Sequence, residues 1–252
     1  MRHHLERNKI VRCYASCNRR HAEHFKTKTS AMRFLEKKSD ARKTLVVSDI
    51  DGTLVKGSLI LGNAVDAHRS GVVDLGTLPD QWLADQKNED LILEFADAYL
   101  SALSGKHLRD TNRLRTLRRV FENKNHLYST IDRLLDYKAK GADVVLISGS
   151  PSFMVEPFAK HFGFRYLASE YLRDSEGRFT GEALIRANSN AKLEAMASLN
   201  PESYDLVIGF GDTASDAPLL EISDKGVLVD PNKETVAELK SLGVRVDEVV
   251  RD

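Results

Sequence analysis

Leu45-Val46-Val47-Ser48-Asp49-Ile50-Asp51-Gly52-Thr53 is the stretch from which the rest of this chain is read. A short β-branched run ends in two carboxylates one residue apart, followed at once by glycine and threonine. Such a run reads as a buried strand closed by a turn. Alternation along an extended strand puts Asp49 and Asp51 on one side of the backbone. Two carboxylates that close repel each other unless a cation or a shared proton lies between them. A pair kept at the mouth of a buried strand is therefore expected to have a use.

Downstream, comparable strands are predicted at Ala142–Ile147, Phe164–Ala168, Leu206–Phe210 and Val227–Val229. Helices are predicted between them. Ser152–Phe162 opens after Ser150-Pro151 and stops at Gly163. Others cover Ala191–Leu199, a segment after Asp212, and Lys233–Leu242 before Gly243. Strands alternating with helices imply an α/β fold with a Rossmann-like parallel sheet covered on both faces. Glu170–Ala183 reads differently, as a hairpin projecting from the body around the turn Asp174-Ser175-Glu176-Gly177.

Between the first two strands lies a long stretch of helical periodicity. Asn88 caps a helix with Glu89 and Asp90 in its first turn and Ile92, Phe95, Ala96, Tyr99 and Leu103 on its apolar face. Further helices are predicted over Leu108–Phe121 and Leu127–Lys140, the second ending at Gly141. A crossover needs only about a dozen residues. This stretch is several times longer, so an inserted helical cap over the sheet is expected. The resulting division is a basic extension at 1–43, a core of 44–56 and 138–252, and a cap at 57–137.

Composition sets the outer bounds. With 252 residues, 42% of them hydrophobic, the chain has material for one large domain with an insertion. No apolar run approaches the roughly 18–20 residues of a membrane span. The two cysteines, Cys13 and Cys17, both lie in the extension, so a disulfide framework is not expected and a reducing compartment is the simpler inference. Residues 1–43 hold 13 of the 37 Lys/Arg but 4 of the 37 Asp/Glu, leaving the rest acidic. An acidic body argues against nucleic-acid binding by the core, while the basic arm is suited to a polyanion contact. The arm lacks the apolar centre of a secretory signal, and a cytoplasmic protein is expected. Organellar import through this arm is the alternative. Cys13, Cys17, His21 and His24 share one helical face, but four ligands from one helix cannot easily surround a metal. The segment is read as a basic tail.

In open parallel sheets, ligands bind beyond the carboxyl ends of the strands. Asp49 and Asp51 follow the first strand, and Ser148-Gly149-Ser150-Pro151 follows the second at the start of a helix. A hydroxyl and backbone N–H groups there form a natural phosphate cradle. Gly209-Phe210-Gly211-Asp212-Thr213-Ala214-Ser215-Asp216 follows another strand, and Lys192 falls on the first turn of an intervening helix. Each has a bland reading: a turn, a helix junction, a solvated lysine, a pair of caps. Their joint order, each at the correct end of an element, is what carries the reading.

The series DxDGT, strand-terminal Ser, Lys and GDxxxD resembles the haloacid dehalogenase superfamily. The insertion, Ile147-Ser148-Gly149-Ser150-Pro151 and the run from Gly211 to Leu220 look like its phosphoserine-phosphatase-like branch (subfamily IB). The resemblance spans about residues 44–252. It implies a Rossmann-like core, a mobile helical cap and dependence on Mg²⁺. It implies further that Asp49 is a phosphoryl-accepting nucleophile and Asp51 the acid/base partner. Asp49, the Asp51 carbonyl and Asp212 would bind the metal, with Asp216 behind them or bound through a water. Ser148, the Gly149 amide and Lys192 would hold the phosphoryl oxygens. Asp51 favours phosphate chemistry, because dehalogenases of the superfamily lack that carboxylate.

Phosphoserine phosphatases recognise their substrate with a Glu shortly after the first motif and an Arg in the cap. Here Lys56-Gly57-Ser58 fills the first region. Arg109, Arg113, Arg115, Arg118 and Arg119 fall in no recognisable family motif, and Trp82 reads as cap packing. The expected function is hydrolysis of a small phosphomonoester, a phosphorylated metabolite of phosphoserine-like type among the options. Two alternatives are phosphotransfer to an alcohol and a catalytically silent binding module of the same fold. Removal of residues 1–43 is expected to leave turnover intact in an assay of the purified protein. A dead truncation would show that the arm belongs to the fold.

Overall fold

The computed structural model describes residues 42–86, 88–185 and 189–251. Cys13, Cys17, His21 and His24 lie outside the described residues. β1 (Thr44–Ser48) is the middle strand of a seven-stranded sheet. On one side lie β2 (Asp143–Pro151), β3 (Arg165–Arg173) and β4 (Phe179–Ile185). On the other lie β5 (Leu206–Gly211), β6 (Lys225–Val229) and β7 (Glu248–Val250). The order is β4-β3-β2-β1-β5-β6-β7, and only the β3–β4 pair is antiparallel. Val46 pairs with Val144 and Ile208, so β1 is hydrogen-bonded along both edges. Strand order diverges at β1, and this opens a crevice at its carboxyl end between β2 and β5.

Alternate residues of β1 feed two cores. Val46 joins the large cluster with Ile50, Leu134, Phe158 and Phe210, whereas Leu45 and Val47 face Met196, Leu219 and Ile222. A strand buried on both faces reads as a continuous apolar run, and Leu45–Val47 does so. Helices α6 (Ser152–Phe162), α7 (Ser189–Ser198), α8 (Ala217–Ile222) and α9 (Lys233–Ser241) follow the expected alternation. Lys43 already belongs to this body. The Lys43 N–H donates to Asp205 Oδ2 at 2.7 Å, and the Asp205 N–H donates back to the Lys43 carbonyl at 2.8 Å. Among the described residues, no helix is long and apolar enough to cross a membrane.

The insertion contains α1 (Leu59–Arg69), α2 (Leu78–Ala84), α3 (Glu89–Ala102), α4 (Arg113–Glu122) and α5 (Thr130–Ala139). Asn88 caps α3 by accepting from the Leu91 N–H at 3.1 Å. Phe95, Tyr99 and Leu103 are fully buried on the expected face. Two boundaries move. The helix expected over Leu108–Phe121 is broken at Asn112, whose φ of 56° is the left-handed region that asparagine tolerates better than most residues. A 3₁₀ turn (Leu108–Thr111) precedes the break and α4 follows it. The last helix starts at Thr130, because Leu127 forms a bridge with Val55 instead.

The insertion has a polar centre as well as an apolar one. Tyr99 Oη donates to Asn63 Oδ1 at 2.8 Å, and Asn63 Nδ2 donates to the Thr111 carbonyl at 2.6 Å. Thr116 Oγ1 and Arg119 Nη1 each donate to Asp66 at 2.6 Å. These bonds join α1 to α3, the 3₁₀ turn and α4 with the polar groups satisfied, as burial requires.

The hairpin does not project. β3 is one strand through Arg173, and the tip of β4 lies against the insertion. The Gly105 N–H donates to the Phe179 carbonyl at 2.8 Å, and the Phe179 N–H donates to the Lys106 carbonyl at 2.9 Å. An open strand edge gains by such pairing. Phe179, only 2% exposed, packs on Phe153 with ring centroids 5.4 Å apart. Phe179→Ala is expected to cost about 3–5 kcal/mol of stability, read from urea unfolding.

Candidate active site

Asp49 emerges where β1 leaves the sheet, and its N–H donates to the Phe210 carbonyl of β5 at 3.1 Å. The next residues turn sharply. Leu54 and Val55 return their N–H groups to the Ile50 carbonyl, and Gly52 takes φ 86°. Glycine is required there twice over. Its φ is the left-handed one, and a Cβ would fall within the radius of the Asp212 carboxylate. Thr53 Oγ1 then donates to Asp212 Oδ1 at 3.0 Å, fastening the β1 turn to the β5 loop.

Lys192 reaches in from the first turn of α7 and is 4% exposed. Its ammonium donates to Asp49 Oδ1 at 2.8 Å and to Asp216 Oδ1 at 2.5 Å. Asp216 uses its other oxygen as a cap, accepting the N–H groups of Asp212 and Thr213 at 3.0 and 3.1 Å. Gly211 leaves room for this, since a Cβ on it would strike the Asp216 side chain. Oxygens of Asp49, Asp212 and Asp216 lie within 4.8 Å of one another.

Asp51 stands on the opposite side of the crevice. The Leu59 N–H, at the start of α1, donates to its Oδ1 at 2.6 Å. Ser150 Oγ donates to its Oδ2 at 2.5 Å, and Ser148 Oγ approaches the same oxygen at 3.4 Å. Strand β2 runs past its expected end at Ile147 as far as Pro151, with a register shift between Ser148 and Pro151. Such irregularities re-aim side chains. Here Ser148 and Ser150 are buried and Gly149 between them is exposed. The crevice thus gathers Asp49, Asp51, Ser148, Lys192, Asp212 and Asp216, with Gly149 at its edge.

Thr53, Gly52 and Ser150 were not singled out for these contacts in the sequence. For Ser150 the two-residue alternation of a strand gives only a shared face with Ser148; its contact with Asp51 depends on the irregular end of β2.

A family model described as haloacid dehalogenase-like hydrolase matches residues 46–221. The chain belongs to this family. A protein described as a probable phosphatase from Mycobacterium tuberculosis is 28% identical over 105 residues, 40% of this chain and 37% of that protein. Protein CicA of Caulobacter vibrioides is 35% identical over 92 residues, 35% of this chain and 41% of that protein. The matched stretch is therefore well under half the length of these relatives. A Bordetella pertussis protein of unknown function superposes with a TM-score of 0.64 at 20% identity, over 83% of this chain and 98% of that one. A substrate-bound phosphoserine phosphatase superposes at 0.59 and 17% identity, over 83% and 93%. These structural likenesses establish a shared fold, the α/β core of the hydrolase family.

The charges of the crevice do not balance. Burial raises the Asp49 carboxyl well above its ordinary range; Lys192 opposes this, while Asp216 and Asp51 reinforce it. Asp212 is likewise raised by burial, then by Asp216 and Asp49. Burial also raises Asp51, against the donors Ser150 and Leu59. For Lys192 burial disfavours the charge, yet Asp216 and Asp49 outweigh it and hold the ammonium above its usual value. Four carboxylates face one cation. Hard oxygen donors, crowded and short of positive charge, are the donor set that suits Mg²⁺. A divalent ion beside Asp49 and Asp212 would offset the mutual repulsion that adds to burial in raising both carboxyls.

Gly52→Ala is expected to push Asp212 aside and lower turnover on the order of 10²-fold. Steady-state kinetics with circular dichroism as the folding control would check it.

Proposed function

We propose that this protein is a Mg²⁺-dependent phosphatase that hydrolyses a small phosphomonoester through an aspartyl phosphate on Asp49. The observation that carries the reading is the Lys192 ammonium shared between Asp49 and Asp216 at the carboxyl end of β1. It holds one Asp49 oxygen by a charge-assisted bond and so fixes the direction of the carboxylate. Family membership supports the reaction class.

Asp49 attacks phosphorus in line, and the bond to the leaving oxygen breaks as Asp51 gives that oxygen a proton. A water then attacks phosphorus, Asp51 takes its proton, and free Asp49 and phosphate result. Ser148 Oγ and the Gly149 amide would hold the phosphoryl oxygens, and Lys192 would offset the growing charge. Asp49, the Asp51 carbonyl and Asp212 would hold Mg²⁺, which supplies charge neutralisation. Asp216 stands behind them as the anchor of Lys192 and of the loop.

Residues 57–137 are the proposed cap, and they bear on substrate choice. Ser58 spends its hydroxyl capping α1, accepting the Leu61 N–H at 3.4 Å. Arg119 is bound to Asp66, Arg118 to Glu122, and Arg113 to the Phe153 carbonyl. Arg119 and Arg113 thus have partners within the insertion and on α6, whereas the Arg118–Glu122 pair lies at the surface. The last helix of this segment, α5, rests on the sheet through Leu134 and through Tyr137 against Phe210.

With 4-nitrophenyl phosphate, EDTA is expected to abolish turnover and Mg²⁺ to restore it. Asp49→Asn is expected to be inactive, because an amide is a poor nucleophile. Asp51→Asn is expected to lose on the order of 10²–10⁴ in rate. Substantial activity from a folded Asp49→Asn protein would sink the assignment.

A further inference from the structure

We propose that Ser150 is a positioning residue for Asp51, aiming it at the leaving oxygen; this rests on the phosphatase reading above. Ser150 is 1% exposed, so its hydroxyl has no solvent to bond. Its Oγ accepts the Ile60 N–H at 3.3 Å, and its own proton is therefore left to donate. The acceptor is Asp51 Oδ2, at 2.5 Å.

That bond decides the work of both serines. Ser148 accepts the Ser150 N–H at 3.0 Å and reaches Asp51 only at 3.4 Å. With Asp51 held by Ser150, the Ser148 hydroxyl is released to turn toward a phosphoryl oxygen. Ser150 also selects which Asp51 oxygen handles the proton. Oδ2 is taken up by the serine, and the proposal gives the transferable proton to Oδ1, whose remaining lone pair accepts the Leu59 N–H at 2.6 Å. Bond breaking then delivers the Oδ1 proton to the departing oxygen, and the electron pair of the broken P–O bond is neutralised there. The same hydroxyl touches the Ile60 amide of α1, so the aim of Asp51 is set jointly by β2 and by the first helix of the insertion.

General acid assistance matters for a leaving group that departs as a basic alkoxide and hardly at all for one that departs as a stable phenolate. The test is therefore kcat/KM, which reports steps through leaving-group departure, for a simple alkyl phosphate and for 2,4-dinitrophenyl phosphate. Ser150→Ala is expected to lose about tenfold or more on the alkyl ester, part of the general-acid contribution. On the dinitrophenyl ester it should stay within about threefold of wild type. Ser150→Thr, which keeps the hydroxyl, is expected to recover most of the alkyl rate. In an Asp51→Asn background, Ser150→Ala should cost nothing further. Should alanine unfold the chain, Ser150→Cys fills the space with a weaker donor and is expected to show the same split. Equal losses on both esters would mean a merely structural serine and overturn the proposal, as would no loss on either. A wild-type protein inactive on both esters with Mg²⁺ present removes the phosphatase reading, and the inference falls with it.

Discussion

The Lys192 ammonium is the charge on which the crevice depends. It is buried with two carboxylates within hydrogen-bond reach, and neither side of that arrangement is tolerable alone. An unpaired lysine in this interior would shed its proton, and unpaired aspartates would gain theirs. Pairing fixes three separate pieces of chain at once: the end of β1, the first turn of α7 and the loop after β5. Asp216 extends the hold by accepting two backbone N–H groups of that loop. Replacing such a set by apolar groups could stabilise the fold, but removing one member strands the others. The cost is sensible only in a site that works by charge.

The second organising constraint is the closeness of the β1 turn to the β5 loop. Gly52 permits it and Thr53 ties it, so that Asp212 sits beside Asp49 rather than in solvent. Across the crevice, Asp51 is addressed by a different set of elements, β2 and α1. The two carboxylates one residue apart in sequence thus answer to different parts of the fold. One is tied to lysine and to the acidic cluster; the other is tied to serines and to the insertion. That separation gives each a distinct environment, so that neighbouring groups act differently on two carboxyls that are both buried.

Much of this was legible in the sequence, for identifiable reasons. Short, β-branched apolar runs such as Leu45–Val47 and Val144–Ile147 fit strands buried on both faces, and Gly163 and Asn88 mark helix ends through local backbone chemistry. Asp49, Lys192 and Asp212 stood out because elements of known direction place their ends together. What escaped was tertiary. The extension of β2 to Pro151 and the contact of Ser150 with Asp51 depend on how two strands meet, and no local preference encodes that. The helix break at Asn112 accompanies the contacts of Thr116 and Arg119 with Asp66, a long-range partner that local pattern does not reveal. The hairpin carried a correct turn at Asp174–Gly177 but no sign that Phe179 would find its place against the insertion.

The attachment of the insertion has a mechanical consequence. One anchor is the ribbon in which Lys56 N–H meets the His126 carbonyl and Tyr128 N–H meets the Leu54 carbonyl. Another is the pair of backbone bonds between residues 105–106 and Phe179. The third lies in the crevice itself, where the Leu59 N–H donates to Asp51 and the Ile60 N–H to Ser150. The insertion therefore shares an attachment point with the carboxylates, and any change in the seating of α1 is felt directly at Asp51 Oδ1.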